Sequence, residues 1–428
     1  MDWKIKKAQK GLKGELRVPP DKSISHRAVM FSSIARGKCR IDNFLFGEDC
    51  MRTYEAFLAM GVSITRKHNA VVVKGDGLKG LKAPAGALYM GNSGTSMRIM
   101  SGILAGQDFA TELTGDESLS KRPMGRIVEP LRSMGANIET AGDGRPPIKI
   151  APAGGPLKAV TYNTPVASAQ VKSCVLSAGL YADGTTALTE PFQSRNHTEK
   201  MLEYFSAEIE REGLTTRVTG GKELVPKDLS VPGDVSSAAF FIVGALLVEG
   251  SNLVLRGVGL NPTRTGLISV LKRMGAKIDI LDLRGESEPS GDLRALYSPL
   301  EGTIVKPSEI PLLIDEIPVL IIAAVTASSP TEIQGISELR VKESDRVRSM
   351  TENLSKLGVE MMEKGDSLII YGGKKTFTSA VLDSFGDHRI AMSMAVASLI
   401  SDDGCTIRDT DCVNTSYPDF PGHLAKVS

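Results

Sequence analysis

LRVPPDKSISHRAVMFSSIARG, at residues 16–37, returns as LSVPGDVSSAAFFIVGALLVEG at residues 229–250, an offset of 213. In both copies a short extended phrase ends at Val-Pro, an Asp follows two residues after the proline, and a helix rich in small and apolar residues runs on to Gly. Proline fixes its own φ and pushes its predecessor into extended backbone. Asp is a strong helix N-cap. Each copy therefore reads as a strand, a tight crossing and a capped helix.

Outward from these two copies, the same helix opening recurs at Asp21, Asn92, Ser168, Asp234, Asp315 and Asp387, at spacings of 71, 76, 66, 81 and 72. A second amphipathic helix ends at Met60-Gly61, Met134-Gly135, Met274-Gly275 and Leu357-Gly358. Short β-rich runs lie between the helices: AVVVKG (70–75), NLVLRGV (252–258) and SLIIYGG (367–373). Six α/β units of about 70 residues result, too long a period for a solenoid and suited to compact domains of several units each. The offset of 213 spans three such units, so three units per domain are expected. One domain is expected over 20–230, the other over 1–19 plus 231–428, with the N-terminal segment strand-pairing into the C-terminal half. The two Val-Pro crossings would form a hinge.

Composition narrows the function. The 428 residues are 41% hydrophobic and 24% charged, and 51 Lys+Arg against 50 Asp+Glu leave a formal net charge of +1. That balance excludes wholesale binding to nucleic acid or acidic membranes. The longest uncharged apolar runs, 238–248 and 318–327, fall short of the roughly 20 residues a bilayer span needs. MDWKIKKAQKG at the N-terminus has lysines with no apolar stretch behind them, so a mature cytoplasmic chain is expected. The cysteines at 39, 50, 174, 405 and 412 form no C-x-x-C pair and are expected to be reduced. Five scattered histidines include no H-E-x-x-H, so neither a metal nor any other cofactor is expected.

The helix openings carry an anomaly. Lys22, His26 and Arg27, Arg98, Lys172, and His388 with Arg389 all fall in the first turn or two of their helices. A cation there opposes the helix macrodipole by about 0.3 to 1 kcal/mol. Repeated placements of this kind call for a shared anion, since free N–H groups beside a full positive charge make a phosphate or carboxylate site. Parallel helices within each domain would bring those ends together on an electropositive cleft. SLSKRPMGR (118–126) adds Lys121, Arg122 and Arg126 on a loop entering a helix. ELRVKESDRVRSM (338–350) is expected to set Lys342 and Arg346 on one helical face, with Glu343 adjacent. Asp315 and Glu316 interrupt the apolar run IPLLIDEIPVLIIAAV, where unpaired carboxylates are rare, so Asp315 is a candidate general base. Residues 75–80 match G-x-G-x-x-G after a strand, but Pro84 and Gly86 block the helix that dinucleotide binding requires. Walker and nucleophile-elbow motifs are absent.

Taken in order, DKSISHR, GNSGTSMR, SKRPM, SAQ, RNHTE, LIDE, VKESDR, GDHR and NTSYPDF resemble the 5-enolpyruvylshikimate-3-phosphate synthase family over essentially the whole chain. The resemblance implies an α/β fold of two domains, each of three βαβαββ-type units, with helix N-termini facing an inter-domain cleft. It implies transfer of the enolpyruvyl group of phosphoenolpyruvate to the 5-hydroxyl of shikimate 3-phosphate, in a chain that is a target of glyphosate. For shikimate 3-phosphate it implies Lys22, Ser23, Arg27, Ser168, Gln170, Arg195, Asp315 and Lys342. For phosphoenolpyruvate it implies Lys22, Asn92, Gly94, Thr95, Arg122, Gln170, Arg346, His388 and Arg389. Lys22, Asp315 and Glu343 would be catalytic, Glu343 as acid toward C3 and Asp315 as base toward the hydroxyl. Ala169 and Thr415 depart from members that carry a serine and a lysine there.

Two small anions must be held together against their repulsion, which suits preorganised positive charge without a covalent adduct. Like-charged walls would close once an anion neutralises them. The expected partners are the two small-molecule substrates, with no nucleic acid and no membrane, and the chain is expected to be a monomer. Two other readings stay open: the related enolpyruvyl transferase of UDP-N-acetylglucosamine, whose usual loop cysteine has no counterpart in 118–123, and a non-catalytic anion-binding scaffold.

Overall fold

Both strand–proline–helix stretches fall on a boundary. The computed structural model describes residues 1–285 and 287–428. It divides into a split unit, Met1–Pro19 with Pro232–Ser428, and a central unit, Pro20–Val231. In each stretch the residues before the proline belong to one unit and the helix belongs to the other.

The central unit repeats one construction three times. Leu88–Tyr89 runs parallel to Thr111–Thr114, which pairs antiparallel with Ile148–Ala151, and Asn137–Thr140 closes the far edge. The order is first, second, fourth, third. A parallel pair needs a crossover long enough to hold a helix, and here that helix is Gly94–Ala105. The third repeat has the same order, Thr161–Asn163, Thr185–Thr189, Thr215–Thr219 and Ile209–Glu212, around the helix Ala169–Gly179. The first repeat, with the helix Lys22–Ser33, takes its first strand from the end of the unit: Leu229–Ser230 runs parallel to Arg36–Asp42.

The split unit does the same with the N-terminal segment. Lys13–Leu16 lies parallel to Asn252–Gly259 and supplies the first strand of the sheet completed by Ser290–Leu296 and Lys277–Arg284. A second sheet joins Ile304–Val305, Thr331–Gln334, Ser367–Ile370 and Met361–Lys364. The last sheet has only three strands, Val381–Asp383, Cys405–Arg408 and Trp3–Ile5.

In each unit the repeats turn their opening helices inward. The helix Val235–Leu247 is buried along nearly its whole length, as is His388–Ser398. Phe240, Phe241 and Ile322 join Trp3, Leu12 and Leu16 in one core, and Phe31, Ile103 and Leu176 share the other. Each fully buried side chain of this size contributes about 1.5–3 kcal/mol.

Four of the six expected caps are present. Asp21, Ser168, Asp234 and Asp387 each accept a backbone N–H with their side chain. Two positions differ. Ser93, not Asn92, caps Gly94–Ala105, and Asn92 turns its amide to Asp116 and its carbonyl to Arg122 instead. The helix Ile317–Thr326 has Glu316, not Asp315, at its N-cap position, and no side-chain cap. Both carboxylates are drawn to arginines. Lys342 and Arg346 do not share a helical face either. A 3-10 turn, Ser337–Val341, ends at Lys342 in extended backbone, and Asp345 caps a new helix that starts at Arg346. A carboxylate three residues before Arg348 outcompetes continuation of the turn.

Candidate active site

In the central unit three opening helices meet at their N-terminal ends. Arg27 donates from Nε to Thr198 Oγ1 at 2.7 Å and from Nη2 to Ser173 Oγ at 2.8 Å, joining the first repeat to the third. Arg98 Nη1 donates to Gln170 Oε1 at 2.6 Å, and Gln170 Nε2 donates to Thr95 Oγ1 at 3.0 Å, joining the second to the third. His26 Nδ1 lies 2.7 Å from Thr53 Oγ1, which lies 2.7 Å from Ser96 Oγ, joining the first to the second. Burial holds the His26 imidazole well below its ordinary pKa, and Lys22 and Arg27 push it the same way. His26 is therefore a neutral hydrogen-bonding group at physiological pH, not an anion-binding cation.

Lys22 opens the first helix and pairs at 3.0 Å with Asp49, a buried acid on the helix Glu48–Ala59. Ser23 follows it, half-buried, and its carbonyl accepts from Arg27 Nη1 at 2.9 Å. Arg122 donates to Asn92 through its carbonyl at 3.2 Å and through its side-chain oxygen, and to Ser118 Oγ at 3.1 Å. Asn92 in turn donates to Asp116 at 2.9 Å. Ser168 caps its helix, with Gln170 in the first turn. Arg195 is half-buried on the loop between Thr185–Thr189 and His197–Tyr204. Lys172 does not belong with the anion-facing cations. It is 1% exposed, with Glu190 at 2.6 Å and Glu199 at 2.8 Å.

The split unit gathers a second cluster. Arg346 is buried and reaches three carboxylates: Asp387 at 2.8 Å, Glu343 at 2.6 Å and Asp315 at 3.1 Å. Burial lowers the pKa of this guanidinium, but Asp387, Glu343 and Asp315 outweigh it, so Arg346 stays charged. Arg389 sits 3.5 Å from Asp315 Oδ2 and 3.9 Å from Glu316 Oε1. His388, also buried, begins the same helix. Burial lowers the pKa of the half-buried Lys342, against an upward pull from Asp315. Asp315 lies beside both arginines, 3.1 Å from Arg346 Nη1 and 3.5 Å from Arg389 Nη2.

Sequence reasoning missed the residues that hold these groups. Asp49, Asp116, Thr198 and Ser236, whose hydroxyl bonds Glu316, carry no individual signal. Thr198 and Glu199 lie inside the phrase RNHTE, yet nothing in the phrase tells a positioning residue from a ligand. Among the described residues, no group of His, Cys, Asp and Glu is placed to hold a metal ion. Among them, too, no helix is long and apolar enough to cross a membrane.

This arrangement can fix two small anions with cations already held in place and present carboxylates for proton transfer. A family model described as EPSP synthase (3-phosphoshikimate 1-carboxyvinyltransferase) matches residues 6–424. A 3-phosphoshikimate 1-carboxyvinyltransferase of Bacillus cytotoxicus is 47% identical over 421 residues, covering 98% of this chain and 99% of the relative. Among solved structures, EPSP synthase from Acinetobacter baumannii aligns with a TM-score of 0.88 at 46% identity, covering 100% of this chain and 98% of that one. The enolpyruvyl transferase NikO from Streptomyces tendae shares the fold, with a TM-score of 0.79 at 17% identity over 100% of this chain and 97% of that one.

Proposed function

The chain belongs to the EPSP synthase family, and from that membership we propose that its two helix-start clusters hold the two anionic substrates of the family's reaction. The enzyme transfers the enolpyruvyl group of phosphoenolpyruvate to the 5-hydroxyl of shikimate 3-phosphate and releases phosphate, a step of aromatic amino-acid biosynthesis. The hydroxyl oxygen adds to C2 of phosphoenolpyruvate as C3 takes a proton. The tetrahedral ketal phosphate then loses phosphate as a proton leaves C3, restoring the double bond.

For shikimate 3-phosphate the proposal takes Lys22, Ser23, Arg27, Ser168, Gln170 and Arg195 from the central unit, and Asp315 and Lys342 from the split unit. For phosphoenolpyruvate it takes Lys22, Asn92, Gly94, Thr95, Arg122 and Gln170 from the one, and Arg346, His388 and Arg389 from the other. The carrying observation is the meeting of three helix starts in the central unit through Arg27, Gln170 and Thr95. Donors already fixed by neighbours need little reorganisation when the reacting phosphate gains charge. Asp315 acts as base toward the 5-hydroxyl, Glu343 as acid toward C3, and Lys22 assists the departing phosphate. Support for Asp315 comes from its two arginine neighbours.

A cytoplasmic monomer is part of the same proposal, in keeping with cysteines that are all free among the described residues. Sedimentation of the purified chain tests its mass. Phosphate release with phosphoenolpyruvate tests the reaction. Turnover is expected with shikimate 3-phosphate and none with UDP-N-acetylglucosamine, and an Asp315→Ala enzyme at wild-type rate would remove that residue from the proton transfers.

A further inference from the structure

We propose that Lys172 is a positioning residue for Arg195, fastening both ends of the Arg195 loop to the helix that carries Ser168 and Gln170. The proposal rests on the reading of Arg195 as a contact for shikimate 3-phosphate. Lys172 lies in the first turn of Ala169–Gly179 with its side chain sealed from solvent. Its ammonium is 2.6 Å from Glu190 Oε2, 2.8 Å from Glu199 Oε1 and 3.5 Å from the carbonyl of Ser194.

These three partners bracket Arg195. Glu190 directly follows the strand Thr185–Thr189, Glu199 sits in the first turn of His197–Tyr204, and Ser194 immediately precedes the arginine. Residues 191–196 between the two glutamates have no helix or strand of their own. Glu190 also accepts from the Ser194 backbone N–H at 3.4 Å, a weak contact on the same turn.

Stability alone is a poor account of this triad. A buried ion pair is often no more stabilising than apolar side chains of the same volume, because desolvation offsets the attraction. Geometry is a better account. A loop free at either end would sample many positions, and each ordered residue costs about 1–2 kcal/mol of backbone entropy. One ammonium, held on the helix that also presents Ser168 and Gln170, fixes the loop relative to that helix before ligand arrives. Arg27 holds the same far end independently, through Thr198 and Ser173.

Steady-state kinetics on the full chain test the proposal. Lys172→Met alone strands two buried carboxylates, so the informative variant is Lys172→Met with Glu190→Gln and Glu199→Gln, which keeps the shape and removes the charges. It is expected to raise KM for shikimate 3-phosphate about tenfold or more while KM for phosphoenolpyruvate moves less than about twofold. Made in an Arg195→Ala background, the same three changes should add less than about twofold. An unchanged KM for shikimate 3-phosphate, or an equal loss with Arg195 already gone, would overturn the proposal. Glu190→Gln alone, which leaves Lys172 paired with Glu199, gives a second reading should the triple variant not fold. A rise of about threefold in the same KM supports the proposal and no rise overturns it. Arg195→Ala with a wild-type KM would instead overturn the reading of Arg195 as a ligand, whatever the Lys172 variants do.

Discussion

A methyl group at Gly94 would lie 2.8 Å from Arg98 Nη1 and 3.4 Å from Arg122 Nη1. The Arg122 approach is ordinary contact; the Arg98 atom is the end of a flexible side chain, so the fold can absorb its contact, but that guanidinium cannot stay where it is. Arg98 would be pressed off Gln170, a residue of both proposed substrate sites. Gly94→Ala is therefore expected to raise KM for phosphoenolpyruvate about tenfold and KM for shikimate 3-phosphate as well, with little change in Tm. Steady-state kinetics beside a thermal melt separate these effects. The identity of Gly94 and of Arg98 was legible in the phrase GNSGTSMR, but the crowding that makes the glycine's smallness matter depends on Arg98 being held over it by Gln170, 72 positions further on.

The second helix of a repeat stops the same way in four places. Gly61, Gly135, Gly275 and Gly358 all have positive φ, between +74° and +94°. In each, the N–H of the following residue returns to a carbonyl five residues back, as Ala136 does to Leu131 at 3.0 Å. Space is not the constraint at Gly135, since a Cβ there would meet nothing within 4 Å. Gly135→Ala should therefore cost only the left-handed backbone penalty, about 1–2 kcal/mol in a urea titration, with both KM values unchanged. These stops were readable because a Met-Gly or Leu-Gly pair closing an amphipathic run is a local signal that recurs. Caps were readable only where a single polar residue was on offer. Asn92 beside Ser93, and Asp315 beside Glu316, present the backbone with two candidates, and arginines distant in sequence draw Asn92, Asp315 and Glu316 away, leaving the Ser93 hydroxyl to cap one helix and no side chain to cap the other. The break between Lys342 and Arg346 was hidden for the same reason, because Asp345 serves as a cap there while the charge pattern alone suits a continuous helix.

Repeat counting captured the larger architecture because each repeat buries a helix of similar length and composition. The sixth repeat was the exception. Its sheet has three strands, and one of them, Trp3–Ile5, comes from the opposite end of the chain, in line with the expected pairing of the N-terminal segment into the C-terminal half, though no local pattern assigns it to this sheet. The borrowed strands lead to a test at this scale. The central unit is continuous and contains all its own strands, so a fragment of residues 20–231 is expected to unfold cooperatively by itself. A fragment of 232–428 lacks both Trp3–Ile5 and Lys13–Leu16, and loses Trp3, Leu12, Leu16 and Val18 from its core. It should show no cooperative transition until a peptide of residues 1–19 is supplied, which circular dichroism during a denaturant titration would detect.

Lys13–Leu16 pairs with Asn252–Gly259 and Trp3–Ile5 with Cys405–Arg408. During synthesis on the ribosome, then, residues 3–16 emerge long before the strands they pair with. The central unit can finish once Leu229–Ser230 has left the exit tunnel. Meanwhile Leu12 waits, exposed to water and to chaperones, for Asn252–Gly259, and Trp3 waits longer still, for Cys405–Arg408.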